Sequence, residues 1–591
     1  MGRALVTVIA AIVLAAPASA AAIAGPPRKG LPRTVKPAAP VTPTPRLSES
    51  QATQIFLRYD KVADWLGRYS SHPTTDATYD AGSWKVNVFA DDAGEVATGR
   101  VEDASGTVTE AWTGPQVAWK MARGGSGAFG GKKINSLPIW LAFCALFLIG
   151  LGDLRRPLSL RNLDLLALLS FSLSLWFFNR GEIFTSVPLA YPGLVYLLGR
   201  MVWSAWRGRL ATAAAPVWPV WVLAAATVFT AGFRIGLNVK ASNVIDVGYS
   251  GVIGAERIVQ GQMPYGNFPT EDKALRPCGA ADADGEIRDH VQTNGRCESA
   301  NPQGDTYGPV AYETYVPGYL ILGWSGRWDD LPAAHLSSIL FDMLCLLGLA
   351  LVGLRFGGAR LAATLSFAWV AYPFTQYVSS SNTNDALPPL FLIWGFWLVT
   401  SPAVRGAAVA LSGWTKFAPL IVAPLWASYP DGLRRPREKA VFVAAFAVAT
   451  LVAFSILLFE PNLLHALRVF WDRTIPTQVD RQSPFSIWDW RQYHAGLPDL
   501  HILQRVLEVL LALGALAVYF VPRRKSPLQL AALTAALLLG FQLVLTHWFY
   551  LYLPWFFPFA AFAVLAPAPE PVRARAPQPL ERPRQELVGV D

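Results

Sequence analysis

The chain contains few charged residues for its length. Of its 591 residues only 15% are Asp, Glu, Lys or Arg, whereas 53% are hydrophobic and 22 are Trp. A soluble core cannot bury so much apolar surface, so composition excludes an ordinary soluble protein. Apolar runs of about 15 to 22 residues, enough to cross a bilayer, recur from Leu137 onward. We therefore predict an all-α polytopic membrane protein of about 11–13 membrane segments.

Cysteine and histidine are also scarce, with four Cys and seven His. No second Cys or His pair with ligand spacing lies near Cys278 and Cys297, so we expect neither zinc nor any other metal or cofactor. Both cysteines fall in one polar loop that we place outside the cytoplasm. Because the space outside the cytoplasm is oxidising, we predict a disulfide between them, which would stabilise the fold by about 3 kcal/mol through chain entropy.

The net charge of +9 does not indicate nucleic-acid binding, because Lys and Arg lie mainly in short loops between apolar runs. Basic loops of this kind face the cytoplasm. The segments "DLRRPLSLR", "DGLRRPREK" and "PRRKSP" are therefore predicted inside, and the loops 238–308 and 460–501 outside, in a bacterial plasma membrane protein. Its expected partner is the lipid bilayer rather than a nucleic acid.

The two ends of the chain have the composition of targeting and linker segments. Residues 1–22 combine Arg3, an apolar run and small residues, which predicts a signal peptide or an uncleaved signal anchor. Residues 25–46 are rich in Pro and predict an extended linker. Residues 567–591 are predicted to form a disordered cytoplasmic tail.

Between linker and membrane segments, residues 47–125 predict a small extracytoplasmic α+β domain. Helical spacing runs from Ser48 to Ser71, and three strands follow in "SWKVNVFA", "EVATGRVED" and "TVTEAWTG", before a short helix in "PQVAWKMARG". This α-β-β-β-α order resembles a PepSY-type domain. It contains no catalytic constellation, so an accessory or interaction role is expected.

The multispan domain, residues 137–566, can be threaded in two ways between 309 and 430. One has five full spans. The other has three, and treats "PVAYETYVPGYLILGW" and Gly406–Ser428 as re-entrant or broken elements. Irregular backbone at membrane depth is tolerated where it lines a cavity. We favour the second threading because it places Arg355, Arg360 and Arg405 inside and "SNTND" outside.

Six groups of polar residues fall at the predicted outer face, where ionisable groups usually pair, line a pathway or do chemistry. They are Asp246 with Glu256 and Arg257, "GDTYGPVAY", "SSSNTNDALPP", "GWTKFAPL", "DRQSPFSIWDW" and His547. Each also has an interpretation without function. Asp246 can be a helix-end charge, Lys416 can snorkel, and "SNTND" can be a turn.

Residues Val217 to Pro567 resemble the C-type glycosyltransferases, and most closely the bacterial mannosyltransferase-like family 87 (DUF2029). The resemblance rests on "NVIDVGYSGVIGAERIVQGQMPYG", "DTYGPVAYETYVP", "GWTKFAPLIVAPL" and "DRQSPFSIW". It implies a polyprenyl-phosphate sugar donor, mannose by default, and Asp246 as catalytic base. Asp305 is a second acidic candidate. No acidic neighbour follows Asp246, so a two-carboxylate metal site is not expected.

An inverting sugar transfer needs a carboxylate base and a cation for the departing phosphate. Arg481 and Lys416 are the candidate phosphate ligands, and Arg481 is preferred because guanidinium can bind phosphate bidentately. Candidate sugar or acceptor ligands are Asn382, Asn384, Asp385, Tyr265, Tyr307 and His547. Asp385 is also an alternative base. The acceptor is left open among an envelope glycan, a lipid and a protein.

Two other classes of function are compatible with a multispan chain. A transporter or lipid flippase would also have broken helices and intramembrane charges, but it predicts an internal repeat, and none is clear. A membrane sensor or assembly protein could pair an outer domain with a membrane body. Such a protein would have little need for several polar clusters in large outer loops.

Overall fold

The computed structural model describes residues 45–566, apart from gaps at 70–72, 81, 91–93, 115, 118–128, 208–217, 273, 280–286, 288, 329, 433, 480 and 494–496. The predicted signal segment 1–22, nearly all of the linker 25–46 and the tail 567–591 lie outside the described residues. So does most of the predicted helix in "PQVAWKMARG". Residues from Leu47 onward belong to one compact unit.

The small domain begins with two helices, α1 (Glu49–Leu57) and α2 (Asp60–Leu66). Ser48 caps the start of α1. Its hydroxyl oxygen accepts a hydrogen bond from the backbone N–H of Gln51 at 3.2 Å, as part of a reciprocal capping box. The prediction of one helix to Ser71 was therefore wrong, because the chain breaks at Arg58, which ends α1.

Four antiparallel strands follow in the order β1 (Thr74–Asp80), β2 (Ser83–Phe89), β3 (Glu95–Glu102) and β4 (Val108–Thr113). The sequence analysis predicted only three. It missed β1, "TTDATYD", which is polar and mostly exposed because it lies at the edge of the sheet. The inner faces of β2 and β3 carry Val86, Val88 and Val101, which pack on Phe56 of α1 in a core of their own.

The membrane part is almost entirely helical. Its first helices are α3 (Gly131–Ile134), α4 (Leu137–Leu151), α5 (Leu160–Phe178), α6 (Ile183–Arg207), α7 (Val220–Ala241) and α8 (Asp246–Val259), followed by α9 (Val310–Glu313), α10 (Val316–Leu322), α11 (Pro332–Ala371) and α12 (Pro373–Ser380). The later helices are α13 (Leu387–Trp397), α14 (Pro402–Gly413), α15 (Ala423–Ala427), α16 (Pro436–Ala453), α17 (Leu463–Val479), α18 (His501–Phe520), α19 (Pro527–Val544) and α20 (Leu553–Leu565).

Six of the described helices are long and apolar enough to cross a membrane: α5, α7, α11, α18, α19 and the stretch Pro436–Phe459 that contains α16. The other apolar runs form shorter helices, among them α4 and α20. The chain is thus a mostly helical protein with candidate membrane spans and a small N-terminal sheet domain. The full count of 11–13 segments, and their orientation, stay predictions.

Two elements between 309 and 430 are broken, as in the favoured threading. The stretch "PVAYETYVPGYLILGW" forms only the short helices α9 and α10. After α14 the chain continues through a turn and a 3₁₀ segment, Ala418–Val422, before α15, because Pro419 and Pro424 cannot continue a hydrogen-bonded helix. These breaks leave loop backbone at the end of α14, where Lys416 lies.

The large loop after α8 has its own small sheet, formed by β5 (Pro277–Cys278), β6 (Asp289–Val291) and β7 (Cys297–Ser299). The structure contains a disulfide between Cys278 and Cys297, whose Cα atoms are 5.9 Å apart. The bond joins β5 and β7, the two edge strands of this sheet, so it closes the loop between them.

The buried ammonium group of Lys61, in the small domain, should make the stability of the folded protein depend on pH. Burial lowers the pKa of its ammonium group from 10.5 to about 7, and the Asp489 carboxylate opposes the shift only in part. Between these two pH values the unfolded chain binds a proton that the folded chain does not, so stability rises with pH in that window. We expect the apparent unfolding temperature in detergent to rise from pH 7 to pH 10. A Lys61→Met variant should lack that rise, and an equal rise in the variant would contradict the assignment.

Candidate functional site

A cavity with a volume of about 720 Å³ lies where several loops meet the ends of helices. Six of the residues selected from sequence line it: Asp246, Tyr307, Asp385, Lys416, Arg481 and His547. They come from six separate stretches of the chain. The cavity therefore collects both cations, two carboxylates and one aromatic ring of the predicted site.

Asp246 is the first residue of α8, and neighbouring backbone fixes its position. The N–H of Ile245 donates to the carbonyl oxygen of Ser381 at 3.3 Å. A Cβ atom on Gly248 would lie 2.2 Å from the carbonyl oxygen of Asn382, so only glycine permits this approach. The Asp246 side chain is exposed. Among the described residues its carboxylate has no hydrogen-bond or ion-pair partner, so it is available to accept a proton.

Asp385 and Lys416 form an ion pair in the cavity wall. The Lys416 Nζ atom lies 2.7 Å from Asp385 Oδ1, and the two side chains are 10% and 0% exposed. Asp385 Oδ2 and both amide atoms of Asn384 are buried, and within the described residues they have no hydrogen-bond partner. A buried polar atom without a partner costs about 1–3 kcal/mol, so these atoms are suited to bind hydroxyl groups of a ligand.

Aromatic rings surround the Lys416 ammonium group. Its Nζ atom lies 5.1 Å from the ring centre of Tyr307, 5.5 Å from that of Tyr552 and 5.8 Å from that of Trp555. These rings attract the ammonium group through cation–π interactions and so restrain the side chain. The pair with Asp385 uses one of the three ammonium donors, so two are left for a ligand.

Arg481 has a different environment from Lys416. Its side chain is half-buried, and no carboxylate of the described residues lies within ion-pair distance of it. Burial raises the pKa of Tyr307 well above its ordinary value; the Asp246 carboxylate adds to the shift and Arg481 opposes it. The charges of Asp246 and Arg481 therefore both act on one phenol ring. An unpaired guanidinium beside an exposed carboxylate can bind an anion without first breaking an ion pair.

The other side of the cavity is apolar. It is lined by Leu420, Ile421, Pro424, Leu511, Ala515, Leu516, Phe541 and Val544, which belong to the 3₁₀ segment before α15 and to helices α15, α18 and α19. Most of α18 is otherwise exposed and apolar, as expected for a helix that faces lipid. The cavity thus joins a charged end to an apolar slot, which is the shape required by an amphipathic ligand.

His547 is held at the cavity by the segment that also carries Arg481. Its Nδ1 atom lies 2.9 Å from Ser483 Oγ, and its ring packs edge-on against Phe485 with centroids 5.5 Å apart. The backbone N–H of Ser483 donates to Asp489 Oδ2 at 2.8 Å. The arrangement fixes the imidazole ring relative to Arg481.

Three of the residues selected from sequence do not line the cavity because they hold loops together. Asp305 is fully buried; it accepts two hydrogen bonds from Arg473 Nε at 2.8 and 2.9 Å, and another from the N–H of Gly266. The Asn382 side chain binds Asn238, Ser242 and the backbone of Asn243. Tyr265 donates to the carbonyl oxygen of Tyr307 at 3.0 Å.

These contacts change the interpretation of the three residues. The Asp305 carboxylate is buried against Arg473 and does not line the cavity, so of the two acidic candidates only Asp246 can contact a ligand bound there. Asn382 and Tyr265 support the loops that carry Asp246 and Tyr307. Asn384 also lies outside the cavity lining, but it is adjacent to Asp385 in the same 3₁₀ turn.

The sequence analysis missed Arg505 and Glu508, which line the cavity from the first turns of α18. Arg505 Nη1 lies 2.8 Å from Glu508 Oε2, in an exposed i,i+3 pair. Two charges of opposite sign one turn apart, just inside an apolar run, were the signal that could have identified them.

In the part of the chain that the structure describes, no group of three or more His, Cys, Asp or Glu side chains could hold a metal ion. Among the described residues, the charged groups that line the cavity are the exposed Asp246 carboxylate, the ion pairs Asp385–Lys416 and Arg505–Glu508, and the Arg481 guanidinium, which has no carboxylate partner. This set is suited to proton abstraction next to a bound anion.

No family model matches the chain, and no curated protein matches it. Among solved structures it is similar to the crystal structure of ArnT from Cupriavidus metallidurans bound to undecaprenyl phosphate. The two chains are 15% identical with a TM-score of 0.37, and the match covers 59% of each chain. The chain therefore spans less than two thirds of that protein's length. The resemblance of residues 47–125 to a PepSY-type domain stays a prediction.

Proposed function

We propose that this chain is a membrane glycosyltransferase that moves a sugar from a polyprenyl-phosphate donor to a hydroxyl group of an extracytoplasmic acceptor. The single observation that carries the proposal is the cavity itself. Within the described part of the chain, it combines an exposed Asp246 carboxylate that has no partner, an Arg481 guanidinium that has no carboxylate partner, and an apolar slot along α18 and α19. A polyprenyl-phosphate sugar has the matching parts, an anionic phosphate between a polar sugar and an apolar chain.

In the proposed reaction Asp246 takes the proton from the acceptor hydroxyl group. The acceptor oxygen attacks the anomeric carbon of the donor sugar, and the bond between that carbon and the phosphate oxygen breaks. The electron pair of the broken bond leaves on the polyprenyl phosphate, with inversion at the anomeric carbon. Arg481 and the free donors of Lys416 stabilise the negative charge that develops on the phosphate.

The sugar is proposed to bind between the charged residues and the aromatic rings of the cavity. Asp385 lines the cavity, and its Oδ2 atom is buried without a hydrogen-bond partner among the described residues, so a sugar hydroxyl group would satisfy it. His547, fixed by Ser483, is proposed to contact the acceptor. Mannose is the proposed donor sugar by family resemblance. The proposed location is the plasma membrane, with the cavity on the extracytoplasmic face.

If Arg481 binds the donor phosphate, its replacement should lower activity by an amount that depends on the charge and shape of the new side chain. Because a hydrogen bond to a charged group is worth about 1.5–3 kcal/mol, we expect Arg481→Gln to lower kcat/KM for the donor about ten- to a hundred-fold. Arg481→Lys should retain part of the activity, since it keeps the charge but not the bidentate geometry. The measurement is transfer of radiolabelled sugar from a synthetic polyprenyl-phosphate mannose in membranes that contain the protein.

Arg468 supplies the matched control for this experiment. It is exposed on α17 in the same outer region and does not line the cavity. Arg468→Gln should leave kcat/KM unchanged. Equal activity of the Arg481→Gln and intact proteins would remove Arg481 from the phosphate site. An intact protein that transfers no sugar from several polyprenyl-phosphate donors, but moves a lipid-linked substrate across vesicles, would replace the proposal with the transporter alternative.

A further inference from the structure

The small N-terminal domain contacts the segment of the membrane part that carries Arg481. We call residues 481–493 the docking segment. The N–H of Ala111 in β4 donates to the carbonyl oxygen of Tyr493 at 3.1 Å. From the same domain, Lys61 Nζ lies 3.9 Å from the centre of the Tyr493 ring and also donates to the carbonyl oxygen of Ala111. The end of the docking segment is therefore held against β4 by a backbone hydrogen bond and by contact with Lys61.

A second set of contacts reaches the start of the docking segment. Gln116 Nε2 lies 3.2 Å from Tyr493 Oη and 3.4 Å from Gln482 Oε1. Gln482 directly follows Arg481. One buried amide of the small domain thus links both ends of the docking segment, which are separated by eleven positions in sequence.

Trp112 is directed to this interface and not to the core of its own domain. Alternate residues of a strand face opposite sides, and Ala111 belongs to the core of the small domain whereas Trp112 belongs to the core of the membrane part. The Trp112 ring packs on Tyr493 at 5.4 Å and on Phe184 at 6.2 Å. Truncation of Trp112 should therefore weaken docking and leave the domain's own core intact.

The docking segment is internally braced, so a displacement at Tyr493 reaches Arg481. The Asp489 carboxylate accepts from the N–H of Ser483, and Trp490 Nε1 donates to the carbonyl oxygen of Pro484 at 2.9 Å. Trp488 Nε1 donates to the carbonyl oxygen of Leu543 on α19 at 2.8 Å. Small domain, docking segment and cavity wall are thus joined by hydrogen bonds through residues whose side chains are buried.

We propose that the small domain is a positioning element of the active site, which holds the docking segment so that Arg481 is aimed at the donor phosphate. This inference rests on the proposed function, and it assigns to the domain a task that its own residues do not reveal. No residue of the domain lines the cavity among the described residues, so its effect is exerted through Tyr493 and Gln482.

The test measures binding of farnesyl phosphate, a short soluble polyprenyl monophosphate, to the full-length protein in detergent. Side chains that act on a site through others change affinity by about 0.5–2 kcal/mol, so Trp112→Ala should weaken binding about two- to thirty-fold. Trp221→Ala is the matched control, because this Trp is exposed on α7 far from the interface in sequence. That variant should bind as the intact protein does.

A double-mutant cycle separates positioning from general destabilisation. If Trp112 acts through Arg481, Trp112→Ala should cause no further loss of binding in an Arg481→Gln background. Additive losses would overturn the inference, and so would unchanged binding by Trp112→Ala. Should that variant not fold, Gln116→Met removes the side-chain hydrogen bonds to Gln482 and Tyr493, together with the one that Gln116 accepts from the N–H of Thr113, and must show the same non-additivity. Failure of the intact protein to bind farnesyl phosphate would instead overturn the proposed function itself.

Discussion

Replacement of Asp246 by Asn is expected to abolish sugar transfer. Asparagine has the same shape as aspartate but cannot take a proton from the acceptor, and a positioned general base contributes about 10²–10⁴-fold to the rate. We therefore expect kcat to fall by about this factor. Because the Asp246 carboxylate has no partner among the described residues, its loss should not destabilise the fold.

The assay should separate the loss of the base from a loss of donor binding. Farnesyl phosphate should bind Asp246→Asn at least as tightly as it binds the intact protein, since a negative charge near the phosphate has been removed. Asp76→Asn, an exposed carboxylate of β1 in the small domain, is the matched control and should transfer sugar normally. Full activity of Asp246→Asn would instead assign the base to Asp385, the alternative that also lines the cavity.

The second large effect concerns stability and the ion pair between Arg234 and Asp342. Arg234 on α7 is fully buried; its Nη2 atom lies 2.6 Å from Asp342 Oδ1, and Nε lies 3.1 Å from Oδ2. The remaining guanidinium nitrogen, Nη1, donates to the carbonyl oxygens of Trp369 and Val370 and to the hydroxyl group of Thr375. One side chain therefore connects α7 to α12 and to both parts of α11, which is kinked at Gly357 and Gly358.

Removal of one partner leaves the other charge buried and unpaired, which costs about 3–5 kcal/mol. We expect Asp342→Leu to lower the apparent unfolding temperature in detergent strongly and to reduce the yield of folded protein. The double variant Arg234→Met with Asp342→Leu should recover much of the loss, because no buried charge is left. Failure of the double variant to recover stability would show that the contacts of Arg234 to the backbone matter more than its charge balance.

The exposed pair of Arg435 and Glu438 is the control for this comparison. Arg435 Nη1 lies 2.7 Å from Glu438 Oε1, but the pair is at the surface, with side chains 60% and 31% exposed, so Glu438→Gln should change stability by at most about 1 kcal/mol. Helix α7, which carries Arg234, also supports the candidate site. Asn238, one turn beyond Arg234 on α7, binds Ser379 and Asn382, which support the start of α8 where Asp246 lies.

Much of the helical architecture follows from local patterns. Apolar runs such as Val220–Ala241 and His501–Phe520 form helices because a backbone in lipid must satisfy its own hydrogen bonds. The polar β1 strand and the break at Arg58 were missed, since edge strands and helix breaks depend on neighbours that are distant in sequence. Pro419 and Pro424 did predict the broken element after α14, because proline lacks the donor that a helix needs.

The sequence by itself determined that this chain belongs in a membrane, since apolar composition and helix length depend only on local residue types. It also identified the polar stretches from which the site is built. Only the tertiary structure decided which residues of these stretches lie together in the cavity. Asp246 is left exposed while Arg473 engages Asp305, and the small domain docks on a segment more than 360 positions away. Such pairings depend on loop paths and on competition among charges for partners, and neither is encoded in local periodicity.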